Sequence, residues 1–184
     1  MVSRLKVSIV IPVYNEVATV GTLLAKVARL ELDKELIIVN DGSTDGTGKV
    51  LEEIAAKGYR IKIVRVDVNQ GYGFGILSGL EHVKTPWAGM IPADGQVDAE
   101  DVVRLFEAVR VSKSPVVGKV RRRFRMDGFV RKVVSIAYNF MVWMLWPRLG
   151  SIDVNGSPKI LPTRLLELMK LESKRWFLDP ELMI

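Results

Sequence analysis

The sequence predicts an α/β domain built on a mostly parallel, open sheet with helices on both faces. Three observations predict it. Short, nearly continuous Val and Ile runs alternate with amphipathic segments from residue 6 to residue 120, as expected for strands buried on both faces and joined by crossover helices. Polar clusters follow four of the runs, "PVYNE", "NDGSTD", "NQGYG" and "PADGQ", and in open sheets ligands bind beyond the carboxyl ends of the strands. The chain has 184 residues, enough for one domain with a sizeable core and too few for two comfortable ones.

Each element follows from its pattern. "KVSIVIPV" is the first strand, and "VATVGTLLAKVARL" the first helix, with Val17, Val20, Leu24, Val27 and Ala28 at helical spacing. "ELIIVN" is the second strand. The second helix spans Ser43 to Lys57, with Ser43, Thr44 or Asp45 as N-cap and Val50, Leu51, Ile54 and Ala55 inward. "RIKIVRV" is the third strand, and "FGILSGLEHV" a helix opened by a glycine cluster. "WAGMI" is a short fourth strand, "DAEDVVRLFEAVR" a helix capped by Asp98, and "PVVGKV" a fifth strand. After Val120 the pattern changes to "RRRFR", then to a long apolar and aromatic stretch ending at Trp146.

Composition narrows the function classes. Hydrophobic residues make up 48% of the chain, so it is globular. Cysteine is absent, which excludes a disulfide scaffold and thiolate metal sites and fits a reducing compartment. The net charge of +6 suits anionic lipid, phosphorylated substrates or nucleic acid, without choosing among them. The N-terminal apolar run has no small-residue cleavage site after it. The run from Val133 to Trp146 is shorter than the roughly 20 residues a spanning helix needs. No transmembrane helix is expected.

The loops carry the chemistry. Asp41 follows a buried strand, where its carboxylate either shapes a turn or accepts a hydrogen bond from a base or ribose. The ligand reading is preferred, because Ser43 and Asp45 already supply a cap. In "NQGYGFG", Gly71 and Gly73 lack the spacing of a known phosphate loop and point to close backbone approach. Asp94 ends an apolar strand as either a turn former or the ligand of a hard cation bridging a diphosphate. The run Arg121 to Arg125 is either solvated surface or a contact for phosphate or anionic lipid. No recognised nucleic-acid motif accompanies it, so no nucleic-acid partner is expected. The lone His82 continues a helical apolar pattern and reads as structural.

Together, "SIVIPVYNE", "IIVNDGSTDGT", "NQGYG" and "PADGQ", in this order and spacing, resemble the family 2 glycosyltransferases of GT-A fold. Within that family the chain is similar to the dolichol-phosphate mannose synthase and polyprenyl-phosphate glycosyltransferase branch. "DVNGSPKIL" and the terminal "DPEL" strengthen the match, which covers essentially the whole chain. The resemblance implies one GT-A catalytic domain over residues 1–184, with 121–148 as a basic and apolar segment facing acceptor and membrane. It also implies a GDP- or UDP-linked sugar donor and a divalent cation, Mg²⁺ or Mn²⁺. Pro12, Tyr14, Glu16 and Asp41 would line the nucleotide pocket. Asp94 matches the second acid of the family's Asp-x-Asp metal motif, while Pro92 replaces the first and Asn40 replaces a common Asp. Arg131 and Ser135 resemble an Arg-x-x-x-Ser pair that holds acceptor phosphate. Asp153 and Lys159 match a later element near acceptor and diphosphate, and Asp179 lies in the motif that carries the base in related transferases. The family usually continues further, so the chain is expected to be truncated at its C-terminus.

The implied reaction is inverting attack on the anomeric carbon of the nucleotide sugar. A cation at Asp94 with nearby Lys or Arg would stabilise the departing diphosphate. A hydroxyl acceptor needs a base, Asp153 or Asp179, whereas a phosphate acceptor is already anionic and needs cations such as Arg121, Arg131 and Lys159. The stretch from Gly128 to Arg148 reads either as an interfacial helix or as an ordinary core helix. The expected function is transfer of sugar to a polyprenyl phosphate, by a peripheral protein on the cytoplasmic side of a membrane. Transfer to a soluble hydroxyl acceptor and a non-catalytic nucleotide-sugar-binding module are the alternatives.

Overall fold

A computed structural model describes residues 7–59, 61–95, 97–120, 129–147 and 153–184. The apolar runs become β1 (Val7–Val13), β2 (Lys34–Asp41), β3 (Ile61–Val66) and β4 (Trp87–Met90), joined by α1 (Val20–Ala28), α2 (Thr47–Ala56) and α3 (Tyr72–Leu80). After α4 (Ala99–Arg110) come β5 (Gly118–Lys119), α5 (Phe129–Leu145), β6 (Lys159–Pro162), α6 (Thr163–Met169) and α7 (Leu178–Glu181). Among the described residues the strands form one sheet in the order β3-β2-β1-β4-β6-β5. β1 pairs in parallel with β2 and β4, Val10 lying opposite Ile37 and Met90, and β2 pairs in parallel with β3.

Strand alternation explains the two-sided core. Val7, Ile9, Ile11 and Val13 of β1 point to the face covered by α1, α2 and α4, where they meet Leu24, Leu51 and Phe106. Val10 points to the other face with Ile37 and Val39 of β2, against Ile76 of α3 and Leu178 of α7. These side chains are essentially inaccessible, and each contributes roughly 1.5–3 kcal/mol by leaving water. α3 lies close on the sheet because Gly79 leaves room: a Cβ there would sit 2.3 Å from Val10 Cγ1.

Three boundaries depart from the sequence expectation. The first helix begins at Val20, not Val17, and Val17 is exposed. The second begins at Thr47, after Gly46 with φ 93°, not at Ser43. One cause serves both: the Val17 N–H donates to Asp45 Oδ2 at 3.1 Å, the Asn15 N–H to Ser43 Oγ at 3.0 Å, and the Thr44 N–H to Asn15 Oδ1 at 2.8 Å. Ser43 and Asp45 tie two loops together, and Asp45 also holds the start of α2, its Oδ1 accepting the Thr47 N–H. The fifth strand shrinks to two residues at the sheet edge. β6, a buried run of four that sequence reasoning did not assign, enters antiparallel between β4 and β5. A run that short carries too little periodicity to declare its type. Asp98 caps α4 as expected, its Oδ1 accepting the Glu100 N–H at 3.1 Å.

Candidate active site

The sheet reverses its strand order at β1, with β2 and β3 on one side and β4 on the other. A crevice opens there, beyond the carboxyl ends of the strands. It is a cleft of about 560 Å³. Pro12, Tyr14 and Glu16 reach it from the end of β1, Asp41 from β2, Asn69 and Gly71 from the loop after β3, and Asp94 from the loop after β4. Residues distant in sequence thus share one wall because parallel strands end at one edge. Pro12, Tyr14, Glu16, Asp41 and Asp94, all expected at the site, are brought together.

Asp41 is 3% exposed. Burial pushes its carboxyl pKa up, partly offset by backbone N–H groups of Gln70 and Gly71. Its Oδ1 is buried without a hydrogen-bond partner. The carboxylate thus bonds the loop after β3 and keeps one buried oxygen without a partner at the wall of the cleft. Asp45 is structural: its Oδ1 accepts the Thr47 N–H at 3.0 Å and the Thr47 hydroxyl at 2.5 Å. Tyr14 is half exposed at the mouth.

The loop from Asn69 to Gly73 is held from both sides. Asn69 Nδ2 donates to the Asp41 carbonyl at 3.2 Å, and the Gly71 N–H donates to Asn69 Oδ1 at 3.0 Å. Gly71 has φ 106°, which favours glycine, and a Cβ on Gly73 would lie 2.3 Å from the Ser173 carbonyl. The close approach inferred for these glycines is therefore to the segment of residues 172–177 of the chain itself. That segment lays Trp176 on Tyr72, ring centroids 5.5 Å apart and planes 16° apart. Both rings line the cleft.

Other expectations fall differently. Lys159 is not a surface cation: it is 1% exposed on β6, and its Nζ donates to Asp179 Oδ1 at 2.6 Å. Asp179 lines the cleft but spends that oxygen on the lysine. Asp153 is not among the cleft-lining residues; its backbone carbonyl accepts from Lys119 Nζ. Arg131 and Ser135 both lie on α5, four residues apart. Arg121, the arginine run to Arg125, and Arg148 lie outside the described residues. α5 is not a core helix: among its described side chains Val142 is buried, while Ile136, Phe140, Trp143, Met144 and Leu145 are exposed. Its end touches the site segment through Trp146 and Phe177, ring centroids 5.9 Å apart. No helix among the described residues is long and apolar enough to cross a membrane.

Sequence reasoning missed Asn155, Ser157 and Trp176 as cleft residues. The signal for the first two was the polar, Gly-containing turn before β6, legible only once β6 is recognised as a strand.

Asp94 is exposed, and no group of three or more acidic or histidine side chains among the described residues converges to hold a metal. A cation held at Asp94 would have to complete its shell with diphosphate oxygens and water, an arrangement Mg²⁺ commonly takes. The donor set does not fit a cage made by the protein alone.

Residues 8–158 match the profile of Glycosyl transferase family 2. The chain belongs to this family. Its family 2 relatives include undecaprenyl-phosphate 4-deoxy-4-formamido-L-arabinose transferases. That of Aeromonas hydrophila is 36% identical over 138 residues, a match covering 72% of the chain and 42% of the relative. That of Erwinia tasmaniensis is 38% identical over 143 residues, covering 74% and 43%. The chain thus spans less than half the length of these relatives. Among solved structures, glucosyl-3-phosphoglycerate synthase from Mycobacterium tuberculosis in complex with UDP superposes with a TM-score of 0.68 at 23% identity, covering 89% of the chain and 58% of that structure. A mannosyltransferase from Pyrobaculum calidifontis, in complex with GDP-Man and Mn²⁺, gives 0.66 at 16% identity, covering 91% and 47%. These likenesses show the GT-A fold that the sequence resemblance implied.

Proposed function

We propose that this family 2 domain transfers a sugar from a GDP- or UDP-linked donor to a polyprenyl phosphate at a membrane surface, with inversion at the anomeric carbon. One observation carries the choice of acceptor. The helix that holds Arg131 and Ser135 exposes an apolar, aromatic face, Trp143 being 56% and Ile136 69% exposed, and its end packs on the segment lining the cleft. The apolar face suits an isoprenoid tail, and the anionic head would need the basic residues of 121–148, because the charged side chains lining the cleft, Glu16, Asp41, Asp94 and Asp179, are acidic. The names of the curated relatives support the same acceptor class.

The chemistry follows from the residues. Asp41 Oδ1 accepts an N–H or O–H from the nucleoside, Asp94 faces the diphosphate, and the acceptor phosphate attacks the anomeric carbon as nucleoside diphosphate departs. Asp94 would hold the divalent cation, which when bound offsets the charge developing on the leaving diphosphate. A phosphate acceptor needs no strong base, which suits a cleft where Asp179 is already paired with Lys159. Arg131 and Ser135, one helical turn apart, would hold the acceptor phosphate with Arg121, while Lys159 acts through Asp179. The whole stretch 1–184 serves as one catalytic domain, with 121–148 as its acceptor-facing part. The protein would lie on the cytoplasmic leaflet, whose anionic lipids attract basic residues by about 1 kcal/mol each.

The test is product formation from radiolabelled UDP- and GDP-sugars offered polyprenyl phosphate in liposomes or soluble sugar acceptors. Label in the organic phase with retained acid-labile phosphate linkage supports the proposal. Label only in soluble glycosides moves the function to a hydroxyl acceptor, and nucleotide binding without transfer leaves a binding module.

A further inference from the structure

We propose that Asn155 reads the sugar of the bound nucleotide sugar, through a hydrogen bond between its side-chain amide and a sugar hydroxyl. The inference rests on the donor reading above and assigns a specificity residue within it. Among the described residues, Asp41 Oδ1 and Asn155 Oδ1 are the buried side-chain oxygens without a hydrogen-bond partner, and both residues line the same cleft. A buried polar atom left unsatisfied calls for an explanation, and a ligand that fills it is the simplest one. Asp41 ends β2, two strands from β4, after which Asp94 follows. Asn155 precedes β6, which pairs with β4 on the side away from β1. A donor lying across the carboxyl ends of β1, β2 and β4, with its nucleoside at β1 and β2 and its diphosphate at Asp94, would carry its sugar to the start of β6, where Lys159 pairs with Met90.

The position of Asn155 is clamped. The Val154 N–H donates to Asn139 Oδ1 of α5 at 3.1 Å, and the Gly156 N–H to the Asp153 carbonyl at 3.2 Å. Gly156 sits so tightly that a Cβ would lie 2.6 Å from the Val120 carbonyl. The turn is thus pinned to α5 and to the chain leaving β5, so the backbone that carries Asn155 at the cleft wall is held in place before a ligand arrives. The chemistry of the partner follows from its neighbours. Asp179, which lines the same cleft, is already paired with Lys159, so this end of the cleft offers a neutral amide with both a donor and an acceptor, whereas a phosphate could use only the donor. A hydroxyl both donates and accepts, so it meets either end of the amide.

Isothermal titration of UDP, GDP and their glucose, N-acetylglucosamine and mannose conjugates, with Mn²⁺, tests this on the parent and on Asn155→Ala. Asn155→Ser is the second variant if alanine fails to fold. Retained affinity for the nucleoside diphosphate reports an intact fold. The expected result is unchanged diphosphate affinity and a roughly threefold to tenfold weaker binding of the preferred sugar conjugate, the factor for one neutral hydrogen bond. Equal weakening of diphosphate and conjugate, or no weakening of either, overturns the role of Asn155 and leaves the donor reading standing. A parent that binds none of these nucleotides overturns the donor reading and this inference with it.

Discussion

Asp41 shows at the scale of one residue how burial becomes function. Its raised pKa comes first from desolvation, and a ligand N–H or O–H on Oδ1 favours the ionised form. Nucleotide affinity should therefore be full above the raised pKa and fall as pH drops through it. The unliganded protein has the opposite sign: a carboxyl whose folded pKa is raised stabilises folding below the ordinary carboxylate pKa, and that contribution is lost as pH rises through the folded value. Asp41→Asn should weaken nucleotide binding by about 1.5–3 kcal/mol without lowering the melting temperature at neutral pH. Calorimetry across the acidic range checks both, and an affinity flat with pH would return Asp41 to a structural role. Lys159 and Asp179 make the contrasting case. Removing one member of a buried pair strands the other charge, so Lys159→Ala should cost about 3–5 kcal/mol in denaturant unfolding. The double variant Lys159→Met, Asp179→Leu should recover most of that loss. A single variant as stable as the parent would show that the pair is not a structural tie.

At the scale of elements, the segment from Glu172 to Phe177 works as a strap across the start of α3. The Phe74 N–H donates to the Lys174 carbonyl at 2.8 Å, and Lys174 Nζ sits 5.6 Å from the centre of the Phe74 ring. The strap is tied at its other end by Glu181, whose carboxylate accepts the N–H groups of Glu172 and Ser173, each at 2.9 Å. Desolvation works against that carboxylate, but the N–H groups of Glu172 and Ser173 together with the Ser173 hydroxyl outweigh it and hold its pKa down. This contribution should persist above the ordinary carboxylate pKa and be lost as pH falls through the depressed one. Gly73→Ala drives a Cβ into strap backbone that cannot give like a side chain. The expected cost is about 1–3 kcal/mol in denaturant unfolding, together with loss of the Trp176 stack on Tyr72, read as a changed aromatic signal in near-ultraviolet circular dichroism. An unchanged aromatic signal with unchanged stability would mean that the strap shifts freely. The glycines were legible as a site of close approach, but their neighbour was not. Nothing in "NQGYG" names a segment a hundred residues later.

At the scale of the whole molecule, the exposed apolar face of α5 is joined to the strap beside the cleft by the contact of Trp146 with Phe177. The proposed surface role predicts flotation with liposomes that contain anionic lipid, weakening toward 1 M salt, where the Debye length falls to about 3 Å. Trp143→Ser with Phe140→Ser should reduce flotation without altering nucleotide affinity, because both side chains are exposed on α5. Flotation insensitive to salt and to both substitutions would place membrane attraction elsewhere.

The alternation of Val and Ile runs with amphipathic segments determined the sheet, its parallel half, and the edge where Pro12, Tyr14, Glu16, Asp41 and Asp94 meet. Local periodicity suffices there, because a buried parallel strand must be apolar on both faces and its loop must emerge at the carboxyl end. The tertiary structure decided what depends on contacts distant in sequence. Ser43 binds the loop after β1, and Asp45 divides its carboxylate between that loop and the first residue of α2. Lys159 finds Asp179 in the interior. Asn155 arrives in the cleft because β6 inserts beside β4. In each case the residue type was plain from the sequence, but its partner was set by strand order and helix packing, which no local pattern encodes.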